Sequence, residues 1–432
     1  MRATSLRNGL RLPGPEDIHR TVLPNGITVL IRENFESPSV ALNGYMYCGS
    51  LADPEEKLGL SSFTALGLTR GTQKHTFHQF FDLLESCGAS LGFNSNVHRT
   101  SFGGHALAED LPLLVNLLSE CIFLPTFPRV QMEQLRAQLL TGLMIRDQDT
   151  EEMASLVFDQ ILFKDHPFSR PEDGFPETIR AITLDDLRSF QKGYYRPDGM
   201  VIAIVGAIRA AETLGLVENA LGTWKVRGVR KCPEMTVPKG IDRSIRKHVD
   251  IPGKSQTDLL IGTLGPSRTS EDFFPASLGN SILGQFGMMG RIGEAVRERA
   301  GLAYTASTSL NSWSNTGTWE VSAGVNPANV EKAIELVLKE IRRFTSEPVA
   351  KEELEDSKTN FIGRMPLSLE SNAGMAASIL NMERFDLGMD YLIRYPALVS
   401  AVNEEQVLAV AHKYLDVEKM VIVSAGTAEE KQ

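Results

Sequence analysis

The sequence predicts an α+β fold built twice, as two homologous half-domains, each a largely antiparallel sheet with helices packed on it. Three observations carry that prediction. A chain of 432 residues with 42% hydrophobic residues is too long for one ordinary core. Alternating strand patterns are interleaved with amphipathic helical ones, the mark of sheets covered by helices. The third observation is an internal repeat. "FPETIRAITLDDLRSFQKGYYRPDGMVIAIVG" (175–206) aligns without a gap on "YPALVSAVNEEQVLAVAHKYLDVEKMVIVSAG" (395–426), at an offset of about 220 residues. Pro176/Pro396, Ala181/Ala401, Tyr194/Tyr414, Met200/Met420 and Gly206/Gly426 are identical.

The elements follow in order. Residues 1–20, "MRATSLRNGLRLPGPEDIHR", read as a poorly ordered arm, basic but without the apolar stretch of a secretory signal. A first domain, 21–224, opens on the strand patterns "ITVLIRE" and "SVALNGYMYCGS". "GLSSFTALGLTRGT" (59–72) reads as an amphipathic helix ending in a Gly-Thr stop. "LPLLVNLLSECIFLPTFPRVQMEQLRAQL" reads as helix, proline break, helix. It matches "VEKAIELVLKEIRRFTSEPVAKEELEDSK" of the second half, with Leu117/Leu336 and Ile122/Ile341 in register. Residues 225–248, rich in Lys, Arg, Pro and Gly, read as a linker. The second domain, 249–432, carries the strands "TDLLIGTLG" and "GTWEVSAGV". Its "GRIGEAVRERAGLAYTAST" predicts a helix over 290–300, stopped by Gly301 and followed by a strand from Leu302.

Charge and cysteine usage narrow the function classes. A net charge of -10 argues against a nucleic-acid binder, which needs a basic face. Cys48, Cys87, Cys121 and Cys232 form no CxxC pair, which fits neither a zinc knuckle nor a disulfide framework. With no run of 18 apolar residues, the chain reads as soluble and cytoplasmic. G-x-S-x-G, P-loop and dinucleotide fingerprints are absent, so an independent enzyme of those classes is disfavoured.

Taken together, "GSLADP", "GLSSFTALGLTRGT", the duplication and a late "RERAGLAY" resemble the pitrilysin/insulinase family of zinc peptidases. The resemblance covers the chain after the arm and points to the branch of the mitochondrial processing peptidase and bacterial two-domain relatives. The family's helix reads G-x-x-H-F-x-E-H-x-x-F-K-G-T. Its two His, one turn apart, bind one Zn²⁺, and its Glu takes the proton of the metal-bound water. Here Ser62 stands for the first His, Ala65 for the Glu and Leu66 for the second His. The family's distal Glu falls near Thr141 and Gly142, and the nearest glutamates, Glu133 and Glu151, are over two helical turns away. No metal is therefore expected on this chain. Other histidines, His75 with His78, His105 with Glu109, and His166, lack a third ligand and read as ordinary surface or turn residues.

What the resemblance leaves in place is an Arg and a Tyr seven residues apart, matched by Arg297 and Tyr304. In the family these face the zinc site and hold substrate and developing oxyanion. On spacing alone, a helix-terminal Arg and a packed Tyr explain them as well. The resemblance implies a non-catalytic subunit that lends this pair to a homologous partner. That partner bears the H-x-x-E-H helix and the zinc, and the clam-shell halves enclose unfolded or short peptides. A homodimer stays open. The competing reading is a scaffold, like respiratory core subunits of this family, or a substrate-recognition subunit without a peptidase role. The latter's glycine-rich loop has only the short "GQFGMMGR" (284–291) as its nearest equivalent.

Overall fold

The computed structural model describes residues 12–226, 236–285 and 290–428. Cys232, the middle of the predicted linker and residues 286–289 of "GQFGMMGR" lie outside the described residues. The strands of the first sheet are β1 (His19–Val22), β2 (Thr28–Glu33), β3 (Ser39–Met46), β4 (Ser90–Ser95), β5 (Thr100–Leu107) and β6 (Met200–Gly206). Those of the second are β7 (Ile245–Asp250), β8 (Thr257–Gly265), β9 (Ala303–Ser312), β10 (Gly317–Val325) and β11 (Val421–Gly426). The helices of the first half of the sequence are α1 (Leu60–Gly67), α2 (Phe77–Ser86), α3 (Leu111–Phe123), α4 (Arg129–Arg146), α5 (Thr150–Leu162), α6 (Pro176–Ala181), α7 (Leu184–Tyr194) and α8 (Ala210–Leu221). The second half adds α9 (Phe273–Gly284), α10 (Gly290–Gly293), α11 (Val330–Ser346), α12 (Lys351–Ser368), α13 (Asn372–Arg384), α14 (Tyr391–Ser400) and α15 (Glu404–Tyr414).

The fold is α+β, with two mixed sheets each covered by helices. Strand order is β1-β2-β6-β3-β5-β4 in one and β7-β11-β8-β10-β9 in the other. Each sheet has a single parallel pair, β2 with β6 and β7 with β11; every other pairing is antiparallel. The orders superimpose strand for strand, with β1 the one addition, and the repeated blocks "MVIAIVG" and "MVIVSAG" become the equivalent strands β6 and β11. Both strands are buried at every position, which is why they are rich in apolar, β-branched residues rather than alternating.

Two expectations at domain edges change. The arm is ordered before residue 20: Pro15–Asp17 form a 3₁₀ turn, with Gly14 N donating to Asp17 Oδ2 at 2.9 Å, and β1 starts at His19. "HRTV" carries no apolar alternation because β1 is an exposed edge strand, joined to β2 by a turn with Gly26 at φ +93°. For the same reason the end of the predicted linker is not linker. "IRKHVD" is β7, the edge of the second sheet, and its exposed Arg, Lys and His disguise it.

The compact units are not contiguous. One comprises residues 1–141, 171–233 and 365–396; the other 142–170, 234–364 and 397–432. The boundaries expected from the repeat, 21–224 and 249–432, therefore cut across both. α5 belongs to the first half of the sequence but packs on β8 and β11; α13 belongs to the second half but packs on β3 and β6. These are equivalent helices on equivalent strands, so the halves have exchanged one helix each. Side chains fix both. Asn372, at the start of α13, donates to Ser39 O and Oγ at 3.0 Å and accepts from Asn34 Nδ2 at 2.7 Å. Thr150, at the start of α5, donates to Asp258. Further along α5, Phe158 is fully buried over Gly262, where a Cβ would stand 3.0 Å from its ring.

Candidate functional site

The helix matching the zinc motif is shorter and more enclosed than its pattern predicts. Gly59 enters with φ +91°, α1 runs from Leu60 to Gly67, and a 3₁₀ turn over Leu68–Arg70 leads to Gly71. Asp53 organises its start. The carboxylate accepts from Gly59 N at 3.0 Å, Ser61 N at 2.9 Å and Ser61 Oγ at 3.2 Å, satisfying donors that a helix N-terminus leaves open. Burial outweighs these bonds and pushes the Asp53 carboxyl up to about 7. The helix is buried at Leu60, Ser61, Phe63, Thr64, Ala65 and Gly67, so it is enclosed on more than one face rather than amphipathic.

Each position of the lost motif has another occupation. Ser62 Oγ donates to Glu172 O at 2.9 Å. Glu172 in turn accepts from Val97 N at 3.0 Å, and burial raises its carboxyl pKa. Ala65 is wholly buried and Leu66 is half-buried. α4 closes against the helix: Arg136 stacks 5.0 Å over Phe63, and a Cβ on Gly67 would stand 2.8 Å from Met132 Cε. Thr141 and Gly142 are exposed on α4, with Thr141 Oγ1 donating back to Ala137 O at 2.9 Å. Glu133 pairs with Arg136 at 3.1 Å. Zinc needs nitrogen, oxygen or sulfur donors at about 2.0–2.3 Å. A methyl, an isobutyl group and a hydroxyl already given to a carbonyl do not supply them, so this helix does not fit the metal. Among the described residues no group of three or more His, Cys, Asp or Glu is placed to hold one.

The remaining histidines have local partners. His75 Nδ1 lies 2.8 Å from Glu120, a buried carboxylate that also takes Lys74 Nζ and Thr72 Oγ1. His105 Nδ1 meets Ser90 Oγ at 2.7 Å across the β4–β5 ladder. His166 is buried, its Nδ1 accepting from Phe168 N and its Nε2 at 2.9 Å from Thr236 O. That fixes His166 as the Nε2–H tautomer, a turn staple. His78, on α2, stacks edge-on against Phe77.

Arg297 and Tyr304 are brought together. The predicted helix is α-helical only over α10 and widens into a π-helical turn over Glu294–Arg299. Such turns within helices are frequent at functional sites. Ile292 and Val296 fill the core beneath it. Gly301, at φ +63°, reverses the chain, with Gly301 N donating to Arg297 O and Leu302 N to Val296 O, both at 3.0 Å. This reversal sets Arg297 Cζ 5.8 Å from the Tyr304 ring centroid, a cation–π contact. Arg297 also pairs with Glu298 at 3.5 Å. Tyr304 is 82% exposed, the most exposed large apolar side chain among the described residues. Its hydroxyl makes no hydrogen bond among them.

With the geometry in place, the relatives fall into line. The family profile for insulinase (peptidase family M16) matches residues 28–171, and that for the peptidase M16 inactive domain matches residues 181–361. The chain belongs to the peptidase M16 (insulinase) family. A Mycobacterium leprae protein named an uncharacterized zinc protease is 26% identical over 92% of this M16 chain and 89% of its own length. A Helicobacter pylori protein named a non-peptidase homolog is 24% identical over 82% of this chain and 81% of its own. The crystal structure of a peptidase M16 inactive domain from Pseudomonas fluorescens superimposes with a TM-score of 0.89 at 26% identity, over 96% of this chain and 99% of that one. A protease structure from Helicobacter pylori, at 17% identity and a TM-score of 0.86, shares the M16 fold.

Sequence reasoning missed Asp53 and Glu172 as the groups that secure α1. Asp53 lies in the quoted "GSLADP", but it caps a helix that starts seven residues later. Glu172 arrives from the far end of the domain. Neither connection has a local signature.

Proposed function

We propose that this chain is the non-catalytic subunit of a heterodimeric zinc metallopeptidase, working in the cytoplasm and lending Arg297 and Tyr304 to a homologous partner. The partner carries the H-x-x-E-H helix, and its zinc supplies the activated water. This chain's part is binding and electrostatics. The Arg297 guanidinium donates a fork of hydrogen bonds to a substrate carbonyl, and the Tyr304 phenol donates to the oxygen that gains charge as the peptide bond is attacked. The single observation carrying the reading is the Tyr304 hydroxyl, presented outward beside a guanidinium where a purely structural tyrosine packs inward. The substitutions at Ser62, Ala65 and Leu66 support the assignment of zinc to the partner. A recognition or scaffold subunit is the second reading, favoured by the "non-peptidase homolog" name of the Helicobacter pylori relative.

The test is reconstitution with an H-x-x-E-H partner and a fluorogenic peptide. Tyr304→Phe and Arg297→Ala are expected to lower kcat by about 10²–10³, the usual cost of an oxyanion donor, while the complex elutes intact. Full activity in both variants sinks the proposal. No hydrolysis by the wild-type pair moves the assignment to the scaffold reading.

A further inference from the structure

Two half-buried arginines in the unit that contains α1 have no carboxylate of their own. The site starts at the end of β3, where Tyr45 and Tyr47 stand edge to face with ring centroids 5.1 Å apart and hydroxyls 3.4 Å apart. Arg99, in the turn between β4 and β5, lays its guanidinium 5.4 Å over the Tyr45 ring, and its Nε is buried without a hydrogen-bond partner. Arg384 ends α13, the helix packed on β3, and stacks 4.5 Å over Phe385. α13 packs on β3, the strand that carries Tyr45. Burial first and the charge of Arg99 second bring the Arg384 pKa down to about 10, and burial also lowers that of Arg99. The neighbouring carboxylate, Glu383, is engaged by Arg20, whose Nε and Nη2 donate to it at 2.9 and 2.8 Å. Neither Arg99 nor Arg384 enters an ion pair among the described residues.

Like charges drawn together out of water are unfavourable unless an anion joins them. A guanidinium fork matches a carboxylate in two parallel hydrogen bonds, and the aromatic floor of Tyr45 holds one fork in place. We propose that Arg99 and Arg384 form a receptor for a peptide carboxylate, either an acidic side chain or a free C-terminus. The choice of a peptide ligand rests on the reading of this chain as a peptide-handling subunit; the arginine pair itself does not.

Binding is measured on the full-length chain alone by calorimetry at low salt, so the outcome does not depend on any partner. The probes are N-acetyl-trialanine with a free carboxylate, its C-terminal amide, an amidated acetyl-Ala-Asp-Ala, and inorganic phosphate. The expected result is binding of a carboxylate peptide but not of the neutral amide. Arg99→Gln and Arg384→Gln should each weaken it by about tenfold or more. Arg99→Lys, which keeps the charge but loses the fork, should also weaken it, with melting curves confirming that every variant is folded. Binding of the acidic side-chain peptide alone, or of the free C-terminus alone, identifies the source of the carboxylate. Absence of peptide binding, binding untouched in both Gln variants, or binding of phosphate only overturns the proposal. Carboxylate binding by a chain whose reconstituted complex is inactive would leave this site standing and remove only the peptidase assignment.

Discussion

Asp53 accepts three hydrogen bonds beneath the start of α1, yet burial holds its carboxyl up at about 7. In the unfolded chain an Asp ionises near 3.9. The raised value means the folded state keeps its proton where the unfolded state has lost it. The contribution is therefore fully present below about 4 and is lost as pH rises through about 7. Between pH 5 and 8 the thermal midpoint of the wild type should fall more steeply than that of Asp53→Asn, which has no proton to lose. Parallel curves from differential scanning calorimetry would contradict this. Other single residues show how far the sequence could be read at this scale. Ser62, Ala65 and Leu66 were legible because a helix places each at a known position relative to the motif. Arg99 and Arg384 were not, because the stacking of Arg99 on Tyr45 and the docking of α13 on β3 join segments far apart in the chain.

At the scale of elements, the exchanged helices do equivalent work on equivalent strands. Phe158 fills the space over Gly262 and is fully buried, so Phe158→Ala should cost about 3–5 kcal/mol in a denaturant titration, the cavity left by a lost core aromatic. Asn372→Ala should cost about 1 kcal/mol, because it removes the bonds to Ser39 and leaves Asn34 Nδ2 without its partner, while Ser39 O keeps Ala207 N. Losses below half a kcal/mol in both would mean that these helices are held by something other than the contacts seen. Strands and helix pairs were legible from periodicity: "TDLLIGTLG" and "GTWEVSAGV" are β8 and β10 to the residue. β1 and β7 were not, since an exposed edge strand needs no apolar alternation. The π turn over Glu294–Arg299 also escaped, because its composition is that of an ordinary helix.

For the whole molecule, the exchange makes a prediction about its halves. A fragment ending at residue 226 contains α5 but lacks α13; one starting at 236 contains α13 but lacks α5. Each fragment alone leaves apolar strands of its sheet uncovered, which isolated domains avoid. Expressed separately, the fragments should melt broadly and at low temperature by circular dichroism; mixed during refolding, they should regain a cooperative transition. Independent, sharp melting of both fragments would show that the exchanged helices are dispensable. No helix among the described residues is long and apolar enough to cross a membrane.

By itself the sequence determined the duplication, the α+β class, the absence of an H-x-x-E-H pattern over residues 62–66 and the spacing of Arg297 and Tyr304. These are local facts, written in periodicity, glycine positions and side-chain chemistry. Tertiary structure decided which sheet each helix covers, what fills the space around Ser62, how a π turn and a left-handed glycine set Arg297 beside an outward Tyr304, and how Arg99 comes to stack on Tyr45. Each of those depends on packing between segments far apart in the chain. There the choice among partners of similar hydrophobicity is made by shape, burial and charge rather than by local pattern.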